Sequence, residues 1–121
     1  MSTSGPKYVL VVEDDRDIRE GLADLLGDYG YTVRGASNGR EALEVLGGPS
    51  LPSIILLDLM MPVMDGWQFM EEVSRRRELA GIPICIITAG DSKNTRGPNV
   101  VSVIRKPFDA ATLMGVVERY C

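Results

Sequence analysis

The chain has no histidine among its 121 residues. Ser-His-Asp hydrolysis, Cys-His proteolysis and His-ligated zinc or haem are therefore excluded. Its two cysteines, Cys85 and Cys121, are too few and too late for a disulfide framework or a Cys-x-x-Cys metal site, and fit reduced thiols in a cytosol. No apolar run exceeds five residues, against the roughly 20 that cross a bilayer. The opening Met-Ser-Thr-Ser-Gly-Pro-Lys has no apolar stretch, so it does not read as a signal peptide. An excess of positive charge is missing too: 13 Lys and Arg stand against 17 Asp and Glu, a formal charge of −4. That argues against direct nucleic-acid contact and against an anionic membrane surface. Glycine-rich phosphate loops of the Walker or dinucleotide type are also absent. What remains is an ordinary balance, 45% hydrophobic and 25% charged, enough for one buried core. The expected division is a disordered tail over 1–6 and a single domain over 7–121, in the cytoplasm.

Four short apolar runs, 8–12, 54–57, 84–87 and 100–104, are continuous rather than alternating and rich in Val and Ile. Strands covered on both faces read this way, which points to a parallel sheet. A weaker, half-polar run at 31–36 suggests an edge strand. Between them lie helical patterns. Ile18, Leu22, Leu25, Leu26 and Tyr29 recur at three- and four-residue steps as one stripe. Asn38 with Glu41 resembles a capping box and Gly47-Gly48 a stop; Asp65 with Gln68 starts a third helix, burying Trp67, Phe69, Met70 and Val73. Asp109 caps a last helix bearing Leu113, Val116, Val117 and Tyr120. The alternation predicts a doubly wound α/β domain. One connection breaks the rhythm. Between Thr88 and Val100 there are two glycines, a proline and almost nothing apolar, so a loop is expected where a fourth helix of a regular repeat would stand.

Open parallel sheets carry their sites at the carboxyl ends of strands, beside the point where strand order reverses. The first strand runs into Glu13-Asp14-Asp15, the third into Asp58, the fourth into Thr88 and the fifth into Arg105-Lys106-Pro107. With the first and third strands adjacent, Glu13, Asp14 and Asp58 converge, and three carboxylates at close range demand a cation. A hard, oxygen-seeking ion such as Mg²⁺ suits them, a main-chain carbonyl and waters completing its shell. Lys106 then reaches a phosphate oxygen, Thr88 donates to another, and Asp58 becomes a nucleophile toward phosphorus.

Four stretches in order, Val11-Val12-Glu13-Asp14-Asp15, Leu57-Asp58-Leu59-Met60-Met61-Pro62-Val63-Met64-Asp65-Gly66, Thr88-Ala89 and Lys106-Pro107-Phe108, resemble the receiver domain of bacterial two-component response regulators. The resemblance runs from about residue 8 to the end and is weakest over 89–103. It implies a flavodoxin-like, five-stranded sheet of order 2-1-3-4-5, the order of a chemotaxis receiver. It implies Asp58 as phosphoacceptor from the phosphohistidine of a sensor histidine kinase or histidine phosphotransfer protein, an unknown downstream protein, and Mg²⁺ as cofactor. Asp14 takes the place of the direct metal ligand, Glu13 of its water-mediated neighbour, and Met60 of a residue offering its main-chain carbonyl. Thr88 matches the hydroxyl residue that moves on activation, Lys106 the phosphate-pairing lysine, and Pro107 a proline whose peptide bond is often cis. The lack of histidine agrees: such a chain receives phosphoryl groups and cannot be their histidine donor.

Two departures fall on the signalling side. Receivers commonly carry Tyr or Phe three residues before the lysine, where this chain has Val103, and the stretch from Thr88 to Lys106 is roughly four residues short at the expense of the fourth helix. Output is thus expected through an atypical 89–103 region, or the protein serves as a phosphorelay intermediate; a homodimer stays open. The expected protein is no enzyme beyond its own phosphorylation and slow dephosphorylation. The alternative is a receiver-like interaction module that works without phosphorylation. A phosphatase built on Asp58 is disfavoured because Met60, not a carboxylate, stands two residues on. Asp15 reads as a helix cap, Arg75-Arg76-Arg77 as a solvated helix face, Met60, Met61 and Met64 as gap-filling packing, and Cys85 as a small core hydrophobe.

Overall fold

In the computed structural model, residues 8–61, 63–89 and 95–121 are described; the expected tail over 1–6 lies outside them. The chain runs β1 (Val9–Val12), α1 (Arg16–Asp28), β2 (Val33–Ala36), α2 (Gly39–Leu46), β3 (Ile54–Asp58), α3 (Gly66–Arg75), β4 (Ile84–Ala89), β5 (Val100–Lys106) and α4 (Ala110–Tyr120). The five strands form one sheet in the order β2-β1-β3-β4-β5, and every pairing is parallel. The expected 2-1-3-4-5 sheet is therefore present.

Burial explains why these runs are strands. β1 and β3 are buried throughout, and β4 to its last residue but one, because each lies under helices on both faces. Leu10, Val12, Ile55, Leu57 and Ile86 pack with Ala42 and Leu46 of α2 and Phe69 and Val73 of α3. Val9, Val11, Ile54, Leu56, Cys85 and Ile87 pack on the other side with Leu22 and Leu26 of α1 and Leu113, Met114 and Val117 of α4. The edge strands β2 and β5 are only partly covered, which is why β2 could remain half polar.

Side chains set the helix starts. Asp15, Asn38, Asp65 and Asp109 each accept a bond from the backbone three residues on, satisfying an amide that the helix cannot. At α3 the Asp65–Gln68 capping box is complete. At α2 it is displaced: Glu41 reaches back to the Ser37 amide at 3.1 Å and hydroxyl at 3.0 Å, not to Asn38. The α1 stripe is narrower than its spacing predicts, since Leu22 and Leu26 are buried while Ile18 and Tyr29 lie exposed at its ends. Trp67 and Met70 are half-buried rather than buried, because they flank the face of α3 that Phe69 and Val73 carry.

No helix occurs between β4 and β5 among the described residues; 90–94 lie outside them. The far foot of that connection is fixed. Asn99, buried, donates to the carbonyls of Ile82 (3.0 Å) and Leu79 (3.4 Å) and accepts from the Ile84 amide at 2.9 Å. Beyond β5, the Lys106–Pro107 peptide bond is cis, as the resemblance implies.

Candidate functional site

The site forms where strand order reverses. β1 is followed in sequence by β2 on one side, yet its other neighbour is β3. Val12 pairs with Leu57, so Glu13 and Asp58 occupy the next rung, at the carboxyl ends of both strands. A carboxylate oxygen from each of Glu13, Asp14 and Asp58 lies within 4.8 Å of the others. Glu13 and Asp58 are buried and Asp14 is exposed, which leaves the cluster open to solvent on one side.

Lys106 joins them from β5, its Nζ donating to Glu13 Oε1 at 3.0 Å. Strand alternation accounts for the convergence. Glu13, Asp58 and Lys106 share the parity of the residues facing α1 and α4, whereas Thr88, after Ile87 on that face, begins on the side of α2 and α3. Thr88 is fully buried at the end of β4, opposite Arg105, one position beyond the Asp58–Ile87 pair. Glu13, Asp14 and Asp58 thus lie together with Lys106 beside Glu13, and Thr88 stands one rung away and turned to the other face.

The electrostatics are those of an acid-rich pocket with too little positive charge. Glu13 is held above its ordinary carboxylate pKa, first by burial and then by the neighbouring Asp58 carboxyl, while Lys106 pulls it back. Asp14 is also raised, by the burial it has and by Glu13. One ammonium faces three carboxylates, so a further dication fits the donor set, all oxygen and open on one side.

The loop after Asp58 is shaped from several directions. Asp58 Oδ1 accepts from the Met60 amide at 3.1 Å, a two-residue turn that brings the Met60 backbone beside Asp58, while the residue as a whole is 65% exposed. Packing as gap filler holds for Met61, which is buried, and for half-buried Met64, but not for Met60, because that turn aims it at solvent. Val63 adopts a left-handed φ of 68°, uncommon for a β-branched residue.

Two glycines clamp this loop: Gly66, which closes the motif stretch after Asp58, and Gly39, which the sequence pattern did not single out. A Cβ on Gly66 would lie 2.7 Å from the Leu59 Cα and 2.9 Å from the Asp58 carbonyl oxygen, and its amide donates to Leu59 O at 3.0 Å. A Cβ on Gly39 would lie 2.7 Å from Met64 Cγ, and the Gly39 amide donates to Met64 O at 3.1 Å. The available signal is a glycine directly after a helix-capping residue, a position where backbones can approach closely.

Comparison with known proteins agrees with the geometry. The family model of the response regulator receiver domain matches residues 9–118. Protein Rrf1 of Nitratidesulfovibrio vulgaris is 31% identical over 94% of this chain and 82% of its own. The response regulator MprA of Mycolicibacterium vanbaalenii is 42% identical over 75% of this chain, which corresponds to 38% of its own length. Among solved structures, the chemotaxis protein CheY4 of Vibrio cholerae superposes with a TM-score of 0.85 at 30% identity, covering 97% of this chain and all of that one (100%).

Proposed function

Because this chain belongs to the response regulator receiver family, we propose that it accepts a phosphoryl group on Asp58 from the phosphohistidine of a sensor histidine kinase or a histidine phosphotransfer protein, with Mg²⁺ as cofactor. The observation that carries this reading is the meeting of Asp58 with Glu13, Asp14 and Lys106 at the sheet's switch point. An Asp58 oxygen attacks phosphorus, the bond from phosphorus to the imidazole nitrogen breaks, and that nitrogen takes up a proton. Asp58 is left as an acyl phosphate. Glu13, Asp14, Asp58 and the Met60 main chain hold the metal, which when bound offsets negative charge on the transferring group.

Lys106 has a second task once phosphorus arrives. Its ammonium, now on Glu13, lies within the same cluster and supplies a point charge to a phosphoryl oxygen. Thr88 reaches the phosphoryl group only by turning from the face on which it starts, which suits a residue that reports occupancy. The protein acts in two-component or phosphorelay signalling in the cytoplasm. It catalyses nothing beyond its own phosphorylation and slow hydrolysis, and passes the signal on to a downstream protein.

The test is incubation with a small phosphoryl donor and Mg²⁺, read by intact mass. The expected result is a stable gain of one phosphoryl group, lost entirely in Asp58→Asn. No gain in the wild type identifies a module that works without phosphorylation, and turnover of donor without accumulation identifies a phosphatase.

A further inference from the structure

We propose that Arg19 is the residue that positions the Glu13–Asp14 segment for metal binding, and that Gly35 is a glycine because the Arg19 side chain must pass over it. The segment leaves β1 carrying two of the three acids, and its backbone is tied at several points. The Glu13 amide donates to Ala36 O at 3.0 Å, and the Arg19 amide donates to Asp15 O at 2.9 Å in the first turn of α1. Between these ties, Arg19 Nη1 donates to Glu13 O at 2.8 Å and to Asp14 O at 3.5 Å. Both bonds go to carbonyl oxygens rather than to the carboxylates. The guanidinium therefore fixes where the backbone runs, and hence where both side chains begin, while the acids keep their charge for a cation.

Gly35 supplies the independent observation. It lies inside edge strand β2 opposite Val11, where glycine is unfavourable because it packs nothing and loses backbone entropy on ordering. Positive φ does not explain it, since Gly30 is the positive-φ glycine among the described residues. A glycine within a strand instead marks a place where something approaches closely. Here that is the Arg19 stem: a Cβ on Gly35 would lie 3.0 Å from Cδ, 3.3 Å from Cγ and 3.5 Å from Nε. The bare backbone of β2 opens the path from α1 to the end of β1.

This inference rests on the reading that the acids hold Mg²⁺, and the experiment separates the two. Mg²⁺ affinity is measured by calorimetry for the wild type, Arg19→Ala, Arg19→Lys, Gly35→Ala and the Arg19→Ala/Gly35→Ala double variant. Amide exchange of residues 13–15 is followed in Mg²⁺-free protein. Removing groups that orient metal ligands costs about tenfold or more in affinity, and that is expected for Arg19→Ala, with a smaller loss in Arg19→Lys, which keeps charge and reach but not the planar fork. Gly35→Ala is expected to weaken binding alone and to add nothing in the Arg19→Ala background. Exchange at 13–15 should quicken in Arg19→Ala ahead of the rest of the sheet. Unchanged affinity in Arg19→Ala, or a Gly35→Ala effect of equal size in both backgrounds, overturns the proposal. A wild type that binds no Mg²⁺ overturns the functional reading instead, and the exchange at 13–15 then decides alone whether Arg19 orders the segment. Should Arg19→Ala fail to fold, Arg19→Lys with Gly35→Ala carries the same comparison.

Discussion

Two parts of the sheet are held in different ways among the described residues: the carboxyl ends of β1 and β3, and the β4–β5 edge. On the β1–β3 side the backbone is pinned almost residue by residue: Arg19 holds the carbonyl of Glu13, the Met60 amide binds Asp58, and Gly39 and Gly66 admit helix starts to within contact of the loop. On the β4–β5 side the described ties lie at the opposite, amino-terminal end of the strands, where β4 and β5 begin. Asn99 secures one foot of the connection, Val101 lies 39% exposed and Val103 half-buried, and no helix separates the strands among the described residues. Like charges on the first side repel one another, and these backbone ties hold the acids close despite that repulsion. The second side closes a sheet edge and brings Lys106 to Glu13 from the end of β5.

Breaking the ionic link between the two sides has the largest expected effect. Lys106→Met leaves Glu13 buried without its ammonium, which costs about 1–3 kcal/mol of stability in Mg²⁺-free buffer. It also slows phosphoryl uptake from a small donor by about a hundredfold, the usual loss when one stabilising charge is taken from developing negative charge. Denaturant midpoints and the rate of mass gain measure the two parts. Tightness on the first side is tested next by Gly66→Ala. The added methyl meets the Leu59 Cα and the Asp58 carbonyl oxygen as well as the tip of the buried Leu59 side chain, so a loss of about 1–3 kcal/mol is expected in denaturant unfolding. Gly39→Ala should cost less, since the two nearest atoms, Met64 Cγ and Sδ, belong to a half-buried, flexible side chain, with the Met64 carbonyl oxygen next at 3.0 Å.

Acidity gives a smaller and signed effect. Glu13 and Asp14 are both raised, so the folded state binds their protons more tightly than the unfolded chain does. That contribution is complete below their ordinary values of 4.5 and 3.8 and is lost as pH rises through the raised folded values. Asp109, lowered by its hydrogen bonds to Thr112, works in the opposite direction, its stabilisation being lost as pH falls. The informative quantity is therefore the difference between wild type and Glu13→Gln without Mg²⁺. It should move in favour of Glu13→Gln as pH rises from about 4 toward neutrality, and saturating Mg²⁺ should reverse it near neutral pH. The smallest effect is expected at the half-buried position 103 of edge strand β5. Val103→Tyr should leave the extent of Asp58 phosphorylation unchanged and alter stability by less than about 1 kcal/mol; a large loss in either readout would mean that β5 is as constrained as β1.

Much of this was legible along the chain. The continuous apolar runs and the capping residues Asp15, Asn38, Asp65 and Asp109 located strands and helix starts, because both depend on neighbours within a few residues. Cys85 reads as core, and burial indeed pushes its thiol up to about 12. Other features were invisible for an equally physical reason. The exposure of Ile18, Tyr29 and Met60 depends on how far a helix or turn extends past the sheet. The tasks of Gly39, Gly66, Gly35 and Arg19 depend on which distant backbone comes near.

The sequence by itself determined the kind of protein this is: which residues are acids at strand ends, which runs bury themselves, and which chemistry the absence of histidine forbids. Those properties reside in residue types and short spacings. Tertiary structure alone decided that Lys106 rests on Glu13, that Thr88 starts on the other face of the sheet, and that an arginine crosses a bare strand to reach a carbonyl. Such contacts are set by strand order and register, which bring residues as much as 93 positions apart to within 3.0 Å, a distance that no local spacing encodes.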